Sequence, residues 1–353
     1  MIHDNQALSL QKTQQDDAEM AQAVLKQPRH LAIIKAGGEL DGNSLEAHLG
    51  GCLADAQTVR FSIYDDSSAF FEALDNGLNR AEPALKQSTF VLDALICDVS
   101  LSTFEQTRQI IANARQRFTN LKIALFTSEA SESWLPLMIE QEITQLWVKP
   151  VPFDLHEFGD SVSQLLSPSG CVGLHHHMAK RPELLETMHV TNSHQINVCV
   201  ERFRDILKQQ HVDTIDEMIT CFLEALTNAI YHAPRTPSGH EKYKKQSVID
   251  QLLPSEIVTV QFGADARKVG FSVQDQFGAL SPKTLLYWLH RHQSDSGLLD
   301  THGRGLYLMY LLADHLVVKI DAGRKTEFTL LKSKSNVESA QPHKSILIHH
   351  DLT

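Results

Sequence analysis

A chain of 353 residues is long enough for two domains, and 42% hydrophobic with 21% charged residues is ordinary for globular protein. Its 43 acidic against 32 basic residues leave a net charge of −11, which argues against a general nucleic-acid binder, because phosphate binding needs a cationic face. Five scattered cysteines (Cys52, Cys97, Cys171, Cys199, Cys221) without a CxxC pair, a polar N-terminus and no long apolar run give the expectation of a cytoplasmic protein with reduced thiols and no membrane span.

Residues 1–27 read as a polar lead-in with a short helix near 17–26. Five short β-rich runs follow, at 30–34, 58–64, 94–99, 121–126 and 145–148. Helical stretches at 44–54, 67–78, 103–117 and 132–141 separate them. This alternation predicts an α/β domain over 28–165, a doubly wound parallel five-stranded sheet whose ligands sit at strand carboxyl ends. Asp98, Thr127 and Lys149 close the third, fourth and fifth strands.

In that order and spacing the stretch resembles a response-regulator receiver domain of flavodoxin-like fold. The resemblance implies that Asp98 is a phospho-acceptor, Thr127 a switch residue and Lys149 its cation, with an upstream histidine kinase as donor. It also implies a cis bond before Pro150. Receivers carry an acidic pair after the first strand to hold Mg²⁺, and here that place reads Lys35-Ala36-Gly37-Gly38, with Glu39 and Asp41 a few residues late. Lys35 is placed to pair with Asp98 and mimic a neutralised state. Two readings stay open: phosphorylation at Asp98, or a pseudo-receiver that works as a docking or dimerisation module.

Pro and Gly near 166–173 mark a linker over 166–184, with a short connecting helix at 179–186. His175-His176-His177 falls here and reads as linker, since no matching Cys/His set lies nearby. A strand at 188–190 and a helix at 198–207 open a second domain, 185–333. No long heptad-patterned hairpin precedes it, so His194 lacks the setting of a phosphate carrier and a histidine kinase is disfavoured.

The chemistry concentrates between 216 and 312. Met218, Ile219, Phe222, Leu223, Leu226 and Ile230, with Ala225 and Ala229, form one apolar stripe of a helix. Glu224, Asn228 and His232 recur at i, i+4 and i+8 and share one polar edge. A carboxylate beside an amide oxygen suits a hard cation such as Mg²⁺ with phosphates as co-ligands, and the alternative is an amphipathic helix with a solvated edge. Strands at 257–262 and 269–273 follow, the second running into Asp275-Gln276-Phe277-Gly278. A carboxylate there can accept the exocyclic amine of adenine while the glycine turns the backbone tightly. A helix at 282–292 and a polar loop lead to Thr301-His302-Gly303-Arg304-Gly305-Leu306, which opens an apolar helix ending near 312. Glycines at a helix N-terminus expose N–H groups to an anion, and the helix dipole favours phosphate. A hairpin at 316–320 and 327–331 closes the domain. Residues 334–353 read as a polar tail whose one strand-like piece, 345–349, is either disordered or an edge strand.

The phrases EALTNAIYHA and HGRGLYLMYLLAD, in this order around the Asp275 turn, resemble the Bergerat-type ATPase domain shared by gyrase and histidine kinases, an α+β two-layer sandwich. The anti-sigma-factor serine/threonine kinase branch is the nearest in pattern. The resemblance implies ATP and Mg²⁺ as cofactors, Glu224 as catalytic base or water-positioning residue, and Asn228 as Mg²⁺ ligand. It implies Asp275 and Gly278 at the adenine corner held by Thr326, Gly303, Arg304 and Gly305 around the phosphates, and His232 near them. Phe277 and Ala279 stand where the family's Asp-x-Gly-x-Gly box has glycines.

The expectation is a partner-switching signalling protein in which the receiver-like domain controls a kinase acting on an anti-anti-sigma-like antagonist or a sigma factor. A homodimer is compatible, and neither nucleic acid nor membrane is expected as partner. The alternative is a binding module without catalysis.

Overall fold

The computed structural model describes residues 29–36, 59–79, 92–118, 120–149, 155–166, 173–178, 181–293, 303–334 and 344–350. The expected helices near 17–26 and 44–54, the residues Glu39, Asp41, Cys52, Pro150, Cys171, Thr301 and His302, and most of the polar loop before Gly303 lie outside them.

The N-terminal half lays down β1 (Arg29–Ala36), β2 (Val59–Tyr64), β3 (Ala94–Val99), β4 (Lys122–Thr127) and β5 (Gln145–Val148). They lie side by side in the order β2-β1-β3-β4-β5, all parallel. Their near-continuous apolar runs fit strands covered on both faces. Among the described residues of this half are helices α1 (Ser67–Asn79), α2 (Phe104–Arg117), α3 (Leu135–Glu140) and α4 (Leu155–Leu166). The C-terminal half contains β6 (Leu184–Val190), α5 (Gln195–Gln209), α6 (Ile215–Thr227), β7 (Val258–Ala264), β8 (Lys268–Asp275), α7 (Pro282–Arg291), α8 (Arg304–Leu312), β9 (His315–Asp321) and β10 (Lys325–Ser333). Its meander β9-β10-β8-β7-β6 is antiparallel throughout.

The two halves do not form separate sheets. The supposed tail supplies β11 (Ser345–His350), which lies between β5 and β9 and makes one mixed sheet, eleven-stranded among the described residues. β11 runs parallel to β9 with Ser345 opposite His315, and antiparallel to β5 with Ile346 opposite Leu146. Its first five residues are buried, as expected of an apolar run with neighbours on both edges. The edge-strand and disorder readings are both overturned, because a strand hydrogen-bonded on both sides is central.

One hydrophobic layer crosses the junction. Phe70, Ile110 and Trp134 from the first half share a continuous core with Phe203, Phe222, Phe262 and Phe271 from the second. On the opposite face α4 places Phe158, Val162 and Leu165 against Ile33, Ile96 and Phe126, joined by Val317 of β9 and Leu347 of β11. Sequence reading left α4 unassigned. It also placed a connecting helix over 179–186, where Leu184 to Glu186 instead begin β6 and pair with β7.

Candidate functional site

Helix α6 begins with Asp216 and Glu217 in its first turn, where carboxylates complement the helix dipole. It buries Met218, Ile219, Cys221, Phe222, Ala225 and Leu226 on one face. The helix does not run on unchanged to His232. Residues Asn228–His232 form a π turn, in which the Ala233 amide donates to the Asn228 carbonyl at 2.8 Å. Such turns are uncommon and concentrate at functional sites. Because an i→i+5 bond advances the chain less per residue, the regular i+8 spacing fails at His232. That side chain is half exposed, and its Nδ1 lies 3.5 Å from Glu241 Oε2. The three-residue polar edge is therefore a pair, Glu224 and Asn228, with His232 turned toward Glu241.

That pair has a further property. Glu224 and Asn228 are half-buried, yet among the described residues neither side chain makes a hydrogen bond or ion pair. Both side chains keep some solvent exposure, so their oxygens are open to water or to a ligand that replaces it. Their oxygens suit a hard cation or a water held beside phosphates.

The N-terminus of α8 comes directly against this pair. Gly303 caps the helix in the left-handed region at φ 76°, and a Cβ there would lie 2.6 Å from the Trp288 ring. A Cβ on Gly305 would lie 2.2 Å from Glu224 Oε2, so the missing side chain is what lets the carboxylate sit against the first turn of α8. Arg304, between them, is exposed.

The Asp275 corner closes at the end of β8. Asp275 is only 7% exposed, and its Oδ1 accepts from the Phe277 amide at 2.8 Å and the Gly278 amide at 3.3 Å. Thr326 lies opposite it in the β8–β10 register and donates through backbone and side chain. Burial pushes the Asp275 carboxyl above its ordinary pKa, and these hydrogen bonds hold it back in part. Gly278, at φ 58°, packs on the β9–β10 turn, and a Cβ there would meet the Asp321 carbonyl oxygen at 2.1 Å. Its carbonyl accepts from the Gly323 amide at 3.1 Å. The glycine is thus committed to the hairpin, a role the sequence did not reveal.

In the N-terminal half Asp98 is fully buried, and its Oδ1 lies 2.5 Å from Lys149 Nζ. Lys149 also covers the Phe126 ring at 5.0 Å, and its amide donates to the Thr127 carbonyl at 2.7 Å. Buried Thr127 accepts through Oγ1 from the Glu129 amide at 3.1 Å, while Glu129 Oε2 accepts from the Leu101 amide at 2.7 Å. The three strand-end residues belong to one small constellation. Lys35 is Asp98's neighbour across the β1–β3 register, but its ion pair is with Asp65 at 3.2 Å rather than with Asp98. Sequence reading missed Asp65. The signal was present, since Asp65-Asp66 is an acidic pair directly after β2, one strand over from where receivers carry theirs.

The triple histidine forms a single 3-10 turn, Leu174–His177, tied to β10 where Glu327 accepts from the Gly173 amide at 3.0 Å. Burial, then the surrounding cationic groups, press the His177 pKa down to about 3, so it stays neutral. Among the described residues no group of three or more His, Cys, Asp or Glu side chains could hold a metal ion. His194 is exposed beside Asp250 at 3.4 Å. No described helix is long and apolar enough to cross a membrane.

Residues 192–331 match the family model described as a histidine kinase-like ATPase domain. A search of curated proteins finds no match. Among solved structures, the chain is similar to a response regulator from Thermotoga maritima at 13% identity, over 40% of this chain and 98% of that one, with a TM-score of 0.29. It is similar to RcsB from Salmonella enterica serovar Typhimurium at 14% identity, over 39% of this chain and 60% of that one, TM-score 0.28. The isolated REC domain of RcsB gives 17% identity over 39% and 88%, TM-score 0.26.

Proposed function

We propose that this chain is a signalling protein whose receiver-like half governs an ATP-binding domain acting as a serine/threonine kinase of the anti-sigma-factor type on a protein partner. The observation that carries the reading is the solvent-open pair Glu224 and Asn228, without a side-chain hydrogen bond or ion pair among the described residues and set against the glycine-opened N-terminus of α8 within the matched ATPase region. The donor set fits Mg²⁺: Asn228 would hold it together with phosphate oxygens, and the ion supplies neutralisation of phosphate charge.

The chain's own groups do the rest. Asp275, kept in place by Thr326 and the Phe277 and Gly278 amides, accepts the amine of adenine. Amides at the start of α8 and the helix dipole take the phosphates. Glu224 accepts the proton of the partner's serine or threonine hydroxyl as its oxygen bonds to the γ-phosphorus. The bond from that phosphorus to the β–γ bridging oxygen breaks, and ADP leaves. The partner would be an anti-anti-sigma-like antagonist, with a sigma factor as the protein sequestered.

A second reading is a binding module that holds nucleotide without turnover. What favours it is Phe277 and Ala279 in the adenine box, Gly278 committed to the hairpin, and lysines paired with Asp98 and Asp65 in the receiver-like half. Incubation with γ-labelled ATP and candidate antagonist proteins separates the two. Label transferred to a serine or threonine, and lost in Glu224→Gln, supports the kinase. Nucleotide-dependent stabilisation without transfer to any antagonist supports the module.

A further inference from the structure

Helix α8, read above as the phosphate-binding helix, is also one of the elements by which the second half touches the first. Its Tyr310 hydroxyl lies 2.6 Å from Ser131 Oγ, and both residues are 1% exposed. Tyr310 sits seven residues beyond Gly303, about 10 Å along the same rigid helix. An aromatic series leads back to the glycine. The Tyr310 ring lies 6.3 Å from Tyr307, which lies 5.7 Å from His292, which lies 6.0 Å from Trp288, the residue packed on Gly303.

On the other side, Ser131 follows the Thr127–Glu129 turn by two residues. That turn is fastened to the loop after Asp98 by the Leu101 amide on Glu129, and to Lys149 by the Thr127 carbonyl. A second contact runs in parallel, because Phe104 after the same loop stacks on Trp134 at 5.4 Å. Lys344, leading into β11, lies over the Tyr310 ring at 5.6 Å and pairs with Glu132 at 3.8 Å. Helix α3 packs on α7 across the same seam.

We propose that the buried Ser131–Tyr310 contact is a coupling device, through which the charge state of Asp98 sets the pose of the α8 N-terminus. The inference rests on the reading of that terminus as the phosphate site. The shared sheet ties the two halves through β11, so a change at Asp98 and Lys149 reaches α8 through the 127–134 turn instead of by separation of the halves. The Tyr310 hydroxyl is buried on Ser131 and also within reach of Glu132, so its hydrogen-bond geometry is narrow and closed to water.

The test is hydrogen exchange at the α8 amides in the full chain, with Asp98→Asn made alone, with Tyr310→Phe, and with Ser131→Ala. Tyr310→Phe keeps the ring and removes only the hydroxyl, so packing survives. Asp98→Asn should change α8 exchange by about fivefold or more, the lower range of allosteric coupling, and by less than about twofold in either hydroxyl-deleted background. An equal response in all three backgrounds, or no response at α8 in any, overturns the coupling. The readout needs no nucleotide. Failure of every variant to bind Mg-ATP would instead strike the ATP-site reading, and the exchange comparison would still decide the coupling.

Discussion

Gly305→Ala separates the folding role of the α8 terminus from its chemical one. The position is the second residue of α8 and shows no positive φ, so alanine is compatible with the backbone and costs the helix nothing. The new methyl would stand 2.2 Å from Glu224 Oε2, the far end of a flexible side chain. The carboxylate must retreat by about 1 Å to reach ordinary contact, and a displacement of that size can cost about 10²-fold in rate. The variant should keep its urea midpoint. It should still bind Mg-ATP and lose about 10²-fold in phosphoryl transfer, a loss in kcat with KM little changed. The assay is label transfer in the presence of a phospho-accepting antagonist, paired with denaturant unfolding. Transfer at the wild-type rate would refute the placement of Glu224 as the group that takes the hydroxyl proton.

Gly278→Ala should behave in the opposite way. A left-handed alanine costs about 1–2 kcal/mol, and its methyl meets the Asp321 carbonyl and the Gly323 amide, backbone atoms that cannot swing aside. A total loss of about 3 kcal/mol in unfolding free energy is expected, and a loss under about 0.5 kcal/mol would show that the hairpin does not depend on this glycine. Asp275→Asn probes the adenine corner through pH. The folded carboxyl has a raised pKa, so between its unfolded value of 3.8 and the folded one the native state holds a proton that the unfolded chain has released. Wild-type stability therefore falls as pH rises through that window, and the deficit is complete above the folded pKa. The asparagine chain should gain on wild type between pH 4 and 7 while losing ATP affinity, read as unfolding midpoints at both pH values. An unchanged difference between the two would remove the desolvated carboxylate from the explanation.

Legibility followed the physics of each element. The strand ends carrying Asp98, Thr127 and Lys149, and the apolar stripe of α6, were readable because period and burial coincide in short windows. The Asp275 turn and the Gly303 cap were readable because each needs a residue type that few other positions demand. The π turn was not, since an i→i+5 bond leaves no mark in composition and His232 keeps a helical spacing in sequence. β11 was hidden by its setting. Six residues after a polar stretch look like a tail until β5 and β9 supply the neighbours that bury them. The Lys35–Asp65 pair needs two strands in register, which no local window contains. The closeness of Glu224 to Gly305 is likewise a fact of how α6 meets α8, 81 residues apart in the chain.

The most direct test of the account is equilibrium binding of Mg-ATP to the full chain and to Asn228→Ala. Asn228 makes no side-chain hydrogen bond to a described residue, so its truncation should leave the unfolding midpoint without ligand close to wild type. At a ligand concentration of about 100 times Kd, wild type should gain about 2.7 kcal/mol from Mg-ATP, and the variant should gain little. Equal stabilisation of both proteins, or none of either, would contradict a Mg-ATP site built on Glu224, Asn228 and the N-terminus of α8.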